Sequence, residues 1–199
     1  MHKFQWFIEK IQEEVPLKIK YKDESWEMKW LNMLMKWFNP TFMTSFTTVI
    51  GYTVYFINRE SVENNPQQAM RILTHEAVHL LDTKRLTFPV FAFLYLFPQV
   101  LVIFALFFPI NYYFLLLLLF LLPFPAPFRA YFEARAYAID LILGRQDIKN
   151  VVTYFMNWDY YKMFPFEQYA KRLICYWQAN PDVIIEKVLA IYQQAKVKD

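Results

Sequence analysis

The chain has 199 residues, with 21 Lys and Arg against 18 Asp and Glu and a formal net charge of +3. That length suits a single domain with a real core, and so balanced a charge implies no polyanion partner. The basic residues are scattered without helix-turn-helix, zinc-finger or RNP-like spacing, so no nucleic acid partner is expected, and the lone Cys175 excludes a disulfide framework and a thiolate zinc site.

In chain order, Phe4, Phe7, Ile8, Ile11 and Val15 recur at helical spacing and predict an amphipathic helix over residues 3–15 that ends near Pro16. Packing on the domain is the commoner fate of such a face, and lying on a membrane surface is the alternative. Glu9, Lys10, Glu13 and Glu14 break the apolar pattern that a secretory signal needs, so no cleavable signal peptide is expected. Residues 17–22 alternate with period two and predict a short strand with a basic outer face. Asp23 to Phe38, rich in Trp and Met, reads as a second helix closed by Asn39-Pro40. Thr, Val, Ile, Tyr and Phe dominate from Phe42 to Asn58 with Gly51 between them, which predicts an antiparallel β-hairpin or a bulged pair of strands.

Asn64-Asn65-Pro66 then opens a helix carrying His75-Glu76-Ala77-Val78-His79. Positions i and i+4 face the same way on a helix, so the two imidazoles can share one ion, and Glu76 at the edge of that face can reach a water beside it. A catalytic zinc needs a third protein ligand and an open position. Asp82, Glu133, Asp140 and Glu167 are the candidates. Asp82 shares the helix with the histidines and is better placed as an acceptor for an imidazole N–H. Glu133 is the favoured ligand; it lies on a helix predicted from Phe128 to Leu143, where Ala130, Ala134 and Ala136 permit close packing and Gly144 is the stop signal. Tyr137 and Asp140 repeat its face, and Arg129, one turn earlier, is the alternative partner of its carboxylate.

Residues 86–128, between the histidines and Glu133, contain no charged side chain. A crossing of the hydrocarbon layer takes about 20 helical residues, so the run has the length for two, with a turn at Asn111 after Pro109. Leg one runs roughly from Phe88 to Phe108, kinked at Pro98 beside Gln99, and leg two from Tyr112 toward Phe124, shortened by Pro123, Pro125 and Pro127. A transmembrane hairpin is the leading reading, with a re-entrant or interfacial insertion, an apolar soluble core or an oligomer contact as alternatives. Lys84 and Arg85 before the run and Arg129 and Arg135 after it put both ends on the cytoplasmic side. An even number of crossings keeps Glu133 on the side of His75 and His79, whereas a single crossing would separate them. Two further helices fit residues 166–178, where Cys175 reads as a small buried side chain, and 181–195.

The Thr/Ile/Tyr-rich strand at 46–57, the motif His75-Glu76-Ala77-Val78-His79 with Asp82 after it, and the later Glu133-Ala134-Arg135-Ala136-Tyr137 resemble gluzincin-type zinc metallopeptidases, above all their minimal stand-alone versions. The resemblance covers residues 42–85 and 128–143, and the apolar insertion departs from it. It implies one zinc ion held by His75, His79 and Glu133, Glu76 as general base, and a peptide or protein substrate whose extended backbone pairs with the strand before the motif helix. Asp82, Tyr137, Asp140 and Arg129 are expected, from their positions alone, to support the ligands or the transition state. The expected fold is α+β and mostly helical: a single zincin-like domain over residues 1–199, with a small antiparallel sheet packed on the motif helix and an apolar helical hairpin over residues 86–128. A membrane-associated peptidase with its catalytic side in the cytoplasm is the leading expectation. An intramembrane-type protease and a catalytically inactive zincin fold acting in a membrane or an assembly are the alternatives.

Overall fold

The computed structural model describes residues 2–36, 40–44, 46–122, 124–157 and 162–198. The described residues are mostly helical with one small sheet, and they form two compact units, Met1–Arg85 with Val183–Asp199, and Leu86–Asp182.

The first unit opens with α1 (His2–Glu14), whose apolar stripe Phe4, Phe7, Ile8 and Ile11 is buried. The chain's last helix, α9 (Val183–Val197), packs against it, with Tyr192 edge-on to Phe7 and the Lys3 ammonium donating to the Lys196 carbonyl at 2.9 Å. The amphipathic face is therefore covered by protein. β1 (Lys18–Tyr21) follows, and α2 (Trp26–Met35) is shorter than its sequence pattern; Phe38 and Asn39 lie outside the described residues. β2 (Thr48–Ile50) and β3 (Thr53–Phe56) form the expected hairpin, with Ile50 opposite Thr53 and a two-residue loop between. Gly51 opens that loop at φ +60°, the position where a II′ turn calls for glycine.

Two expectations change here. The sheet is mixed rather than antiparallel, because β1 pairs with β3 in parallel and the order is β1-β3-β2. The basic face of β1 is also incomplete: Lys18 and Lys20 are exposed, but Lys22, next in the alternation, is fully buried. Past the strand's end, its ammonium turns inward to the Phe42 carbonyl, beside the small cluster of Met28, Phe42 and Tyr55.

A short helix, α3 (Arg59–Asn64), precedes the motif and has no counterpart in the sequence reading; the Asn58 side chain caps it by accepting from the Ser61 N–H at 2.7 Å. Next, α4 (Pro66–Leu86) carries the histidines. Asn65 accepts from the Gln68 N–H at 3.1 Å, and Pro66 fits the first turn because a donor is not needed there.

The second unit begins with the uncharged run. α5 (Phe88–Leu96) breaks at Phe97-Pro98, and two 3-10 helices follow, η1 (Gln99–Phe107) and η2 (Tyr112–Leu121), packed against each other. The turn falls at Asn111 as expected, with its side chain accepting from the Tyr113 N–H. Leg one, however, is not one kinked helix: α5 and η1 meet at 96°, and no single described helix is long and apolar enough to cross a membrane.

α6 (Pro127–Ile142) has proline in its first turn and ends where Gly144 takes φ +65°, letting its N–H reach the Leu141 carbonyl and the Arg145 N–H the Asp140 carbonyl. Its buried alanines admit α8 (Glu167–Ala179), where Cys175 is partly buried. The sequence reading has no element over α7 (Ile148–Met156). Val151-Val152-Thr153 disfavours helix intrinsically, and the helix forms because it buries Val151, Val152 and Phe155 in the core with Ala134, Tyr137 and Ile174.

Candidate metal centre

The site begins with the middle of α4. Its spacing puts the ring centres of His75 and His79 5.4 Å apart. His79 is buried, while His75 and Glu76 are only half-buried, so solvent has access on the Glu76 side. The buried hydroxyls of Thr74 and Thr83 donate back along the helix, to the carbonyls of Met70 at 2.6 Å and His79 at 2.8 Å, which satisfies them without using the imidazoles.

Glu133 is buried on α6. One ligand atom from each of His75, His79 and Glu133 comes within 4.8 Å of the others. A tetrahedral ion with ligands at about 2.0–2.2 Å sets donor atoms about 3.4 Å apart, and a group within 4.8 Å is compatible with one such cation. Two imidazole nitrogens and a carboxylate oxygen are also the donor set of a catalytic zinc with three protein ligands. The residues present fit such an ion.

Comparison with known protein families, with curated proteins and with solved structures finds no match. The site is therefore read from its own chemistry.

The remaining residues singled out in the sequence are placed as follows. Asp82 is buried on α4, one turn beyond His79. Tyr137 packs its ring near Tyr154 and Phe155, with centroids 5.8 and 6.2 Å away. Asp140 pairs with Arg145 at 3.3 Å, at the C-terminal end of α6. The Arg129 guanidinium lies 5.3 Å from the centre of the Tyr95 ring. Glu167, the remaining ligand candidate, is exposed in the first turn of α8. Among the acidic candidates, Glu133 is the one grouped with both histidines.

Sequence reasoning missed Tyr95, whose hydroxyl on α5 donates to Glu133 Oε1. The signal was available: Tyr95 is the only side chain of Phe88–Leu96 able to form a conventional hydrogen bond. The segment expected to pair with substrate, 46–57, holds both β2 and β3; β3 lies between β1 and β2, so among the described strands the sheet edges belong to β1 and β2.

Proposed function

We propose that this chain is a zinc-dependent peptidase associated with a membrane, with His75, His79 and Glu133 as ligands and Glu76 as general base. The observation that carries the reading is the approach of the Glu133 carboxylate to two imidazoles set one turn apart, from a position more than fifty residues away in the sequence. A zinc ion bound there would supply Lewis acidity toward a carbonyl and lower the pKa of water to about 7. Glu76, half-buried beside His75, takes the proton of the attacking water on its carboxylate and delivers it to the departing amine. Burial of His79 and Glu133 keeps water from competing for the ligands. The gluzincin resemblance supports the same roles, and an extended substrate would add to the β1 or β2 edge of the sheet.

Membrane association is supported by the surface of the uncharged run. Ile103, Leu106, Ile110, Leu116 and Leu119 are each more than half exposed, and exposed apolar side chains gathered in one segment are what a membrane-contacting surface presents. The lengths favour shallow insertion over a full crossing: nine α-helical residues rise about 14 Å and ten 3-10 residues about 20 Å, against a hydrocarbon core of about 30 Å. On this reading the run enters one leaflet and returns, with the catalytic side in the cytoplasm as the flanking cations imply. The intramembrane alternative is disfavoured because Gln67, Gln68, Arg71, Lys84 and Arg85 are exposed along α4, where hydrocarbon would penalise each.

Metal analysis of the purified chain beside His79→Ala tests the proposal. One zinc per wild-type chain and a loss of at least 100-fold in affinity in the variant are expected. A wild-type chain that takes up no stoichiometric divalent metal would refute the reading.

A further inference from the structure

We infer that Tyr95 is a positioning residue for the metal centre: its phenol holds Glu133 in the orientation that ligation needs, so the apolar run contributes to the site as well as to membrane contact. The inference rests on the metal reading above and extends it to a residue outside the motif.

Two observations carry it. The Tyr95 hydroxyl donates to Glu133 Oε1, and both side chains are at least partly buried, where a charge-assisted hydrogen bond is stronger than at the surface. The ring itself is fixed from two sides, stacked on Phe91 at 5.6 Å between centroids and approached by the Arg129 guanidinium at 5.3 Å. Phe91 in turn packs on Phe132, the neighbour of Glu133, with centroids 4.9 Å apart. A phenol held by its own ring contacts can in turn hold a carboxylate.

The chemistry assigns this bond a purpose. A carboxylate has two oxygens and a monodentate ligand uses one, so a donor on Oε1 leaves coordination possible while limiting rotation of the group. Groups that orient metal ligands in this way usually matter 10- to 100-fold in metal affinity. Tyrosine suits the place because α5 lies in a segment without charge: a phenol offers a donor with no ionic group to desolvate. Without a partner such as Glu133, that hydroxyl would gain nothing over phenylalanine, which already occupies three of the nine positions of α5.

The test compares wild type, Tyr95→Phe and Tyr95→Leu, with Tyr113→Phe as a control from the same apolar run. Zinc affinity is measured by competition with a chromophoric chelator, and the visible spectrum of the cobalt-substituted protein reports ligand geometry. Tyr95→Phe keeps the ring and its contacts with Phe91 and Arg129, so it tests the hydroxyl alone. The expected result is zinc binding weakened about 10- to 100-fold in Tyr95→Phe with an altered cobalt spectrum, a similar loss in Tyr95→Leu, and wild-type behaviour in Tyr113→Phe. Wild-type affinity and an unchanged spectrum in Tyr95→Phe would overturn the inference, whatever Tyr95→Leu does. Absence of zinc from the wild type would instead overturn the metal reading on which it stands.

Discussion

Arg135 and Asp182 meet at 2.5 Å, the guanidinium almost wholly buried and the carboxylate about a quarter exposed. The guanidinium also lies 5.7 Å from the Tyr131 ring centre and 5.4 Å from that of Trp177, so the charge two residues beyond Glu133 is held by a carboxylate and two aromatic faces. Removing the carboxylate from a buried pair costs about 3–5 kcal/mol, whereas removing the cation leaves an aspartate that water can reach. Asp182→Ala is therefore expected to destabilise by about 3 kcal/mol and Arg135→Met by less, as read from urea midpoints at constant slope. The reverse order would show that the aromatic faces, and not Asp182, stabilise Arg135.

Lys22 supplies the pH dependence. Its ammonium donates to the Phe42 carbonyl at 2.6 Å and sits 4.1 Å from that residue's ring centre, and burial pushes its pKa down from 10.5 to about 8. Between those two values the unfolded chain holds the proton that the folded chain has released, so this group's contribution to stability rises with pH from about 8 to 10.5 and is constant on either side. Comparing wild type with Lys22→Met across that window isolates the effect, because all other groups titrate in both. The difference in urea midpoint is expected to move in favour of wild type as pH rises; a constant difference would contradict the burial argument.

Glu76→Gln should separate binding from chemistry. The amide keeps the shape of the side chain but cannot accept the proton of water, so turnover of an unfolded protein substrate is expected to fall about 100- to 10,000-fold with zinc content unchanged. Undiminished hydrolysis with zinc bound would remove Glu76 from its assigned role.

Zinc should also stabilise the fold. A ligand that binds only the folded chain adds about 2.7 kcal/mol at a concentration 100 times its Kd. Chelation is expected to lower the thermal midpoint of wild type and leave that of His79→Ala unmoved. Equal chelator sensitivity in the two proteins would place the metal elsewhere.

Membrane contact is checked by flotation with anionic vesicles. Replacing Ile103, Leu106 and Ile110 with serine removes three side chains, each contributing about 1.5–3 kcal/mol when fully buried in an apolar phase, so vesicle binding should drop by at least 100-fold. Equal flotation of the triple variant would rule out insertion through this surface.

Local signals were enough for much of this protein. The spacing of His75 and His79 fixes a shared helical face whatever surrounds it, the stripe Phe4–Phe7–Ile8–Ile11 needs cover from some partner, and Gly51 and Gly144 stand where the backbone turns left-handed. These are properties of one turn or one loop, and the sequence carries them in full. What required the folded chain is what depends on distant partners. The parallel pairing of β1 with β3, the inward turn of Lys22, the helix formed by α7 despite its β-branched residues, and the hydrogen bond from Tyr95 to Glu133 each join segments that no periodicity relates. The sequence offered four carboxylates for the third ligand position and favoured one of them. Which of the four groups with the imidazoles could not be read from the chain, because no helical or strand spacing relates residue 133 to residues 75 and 79.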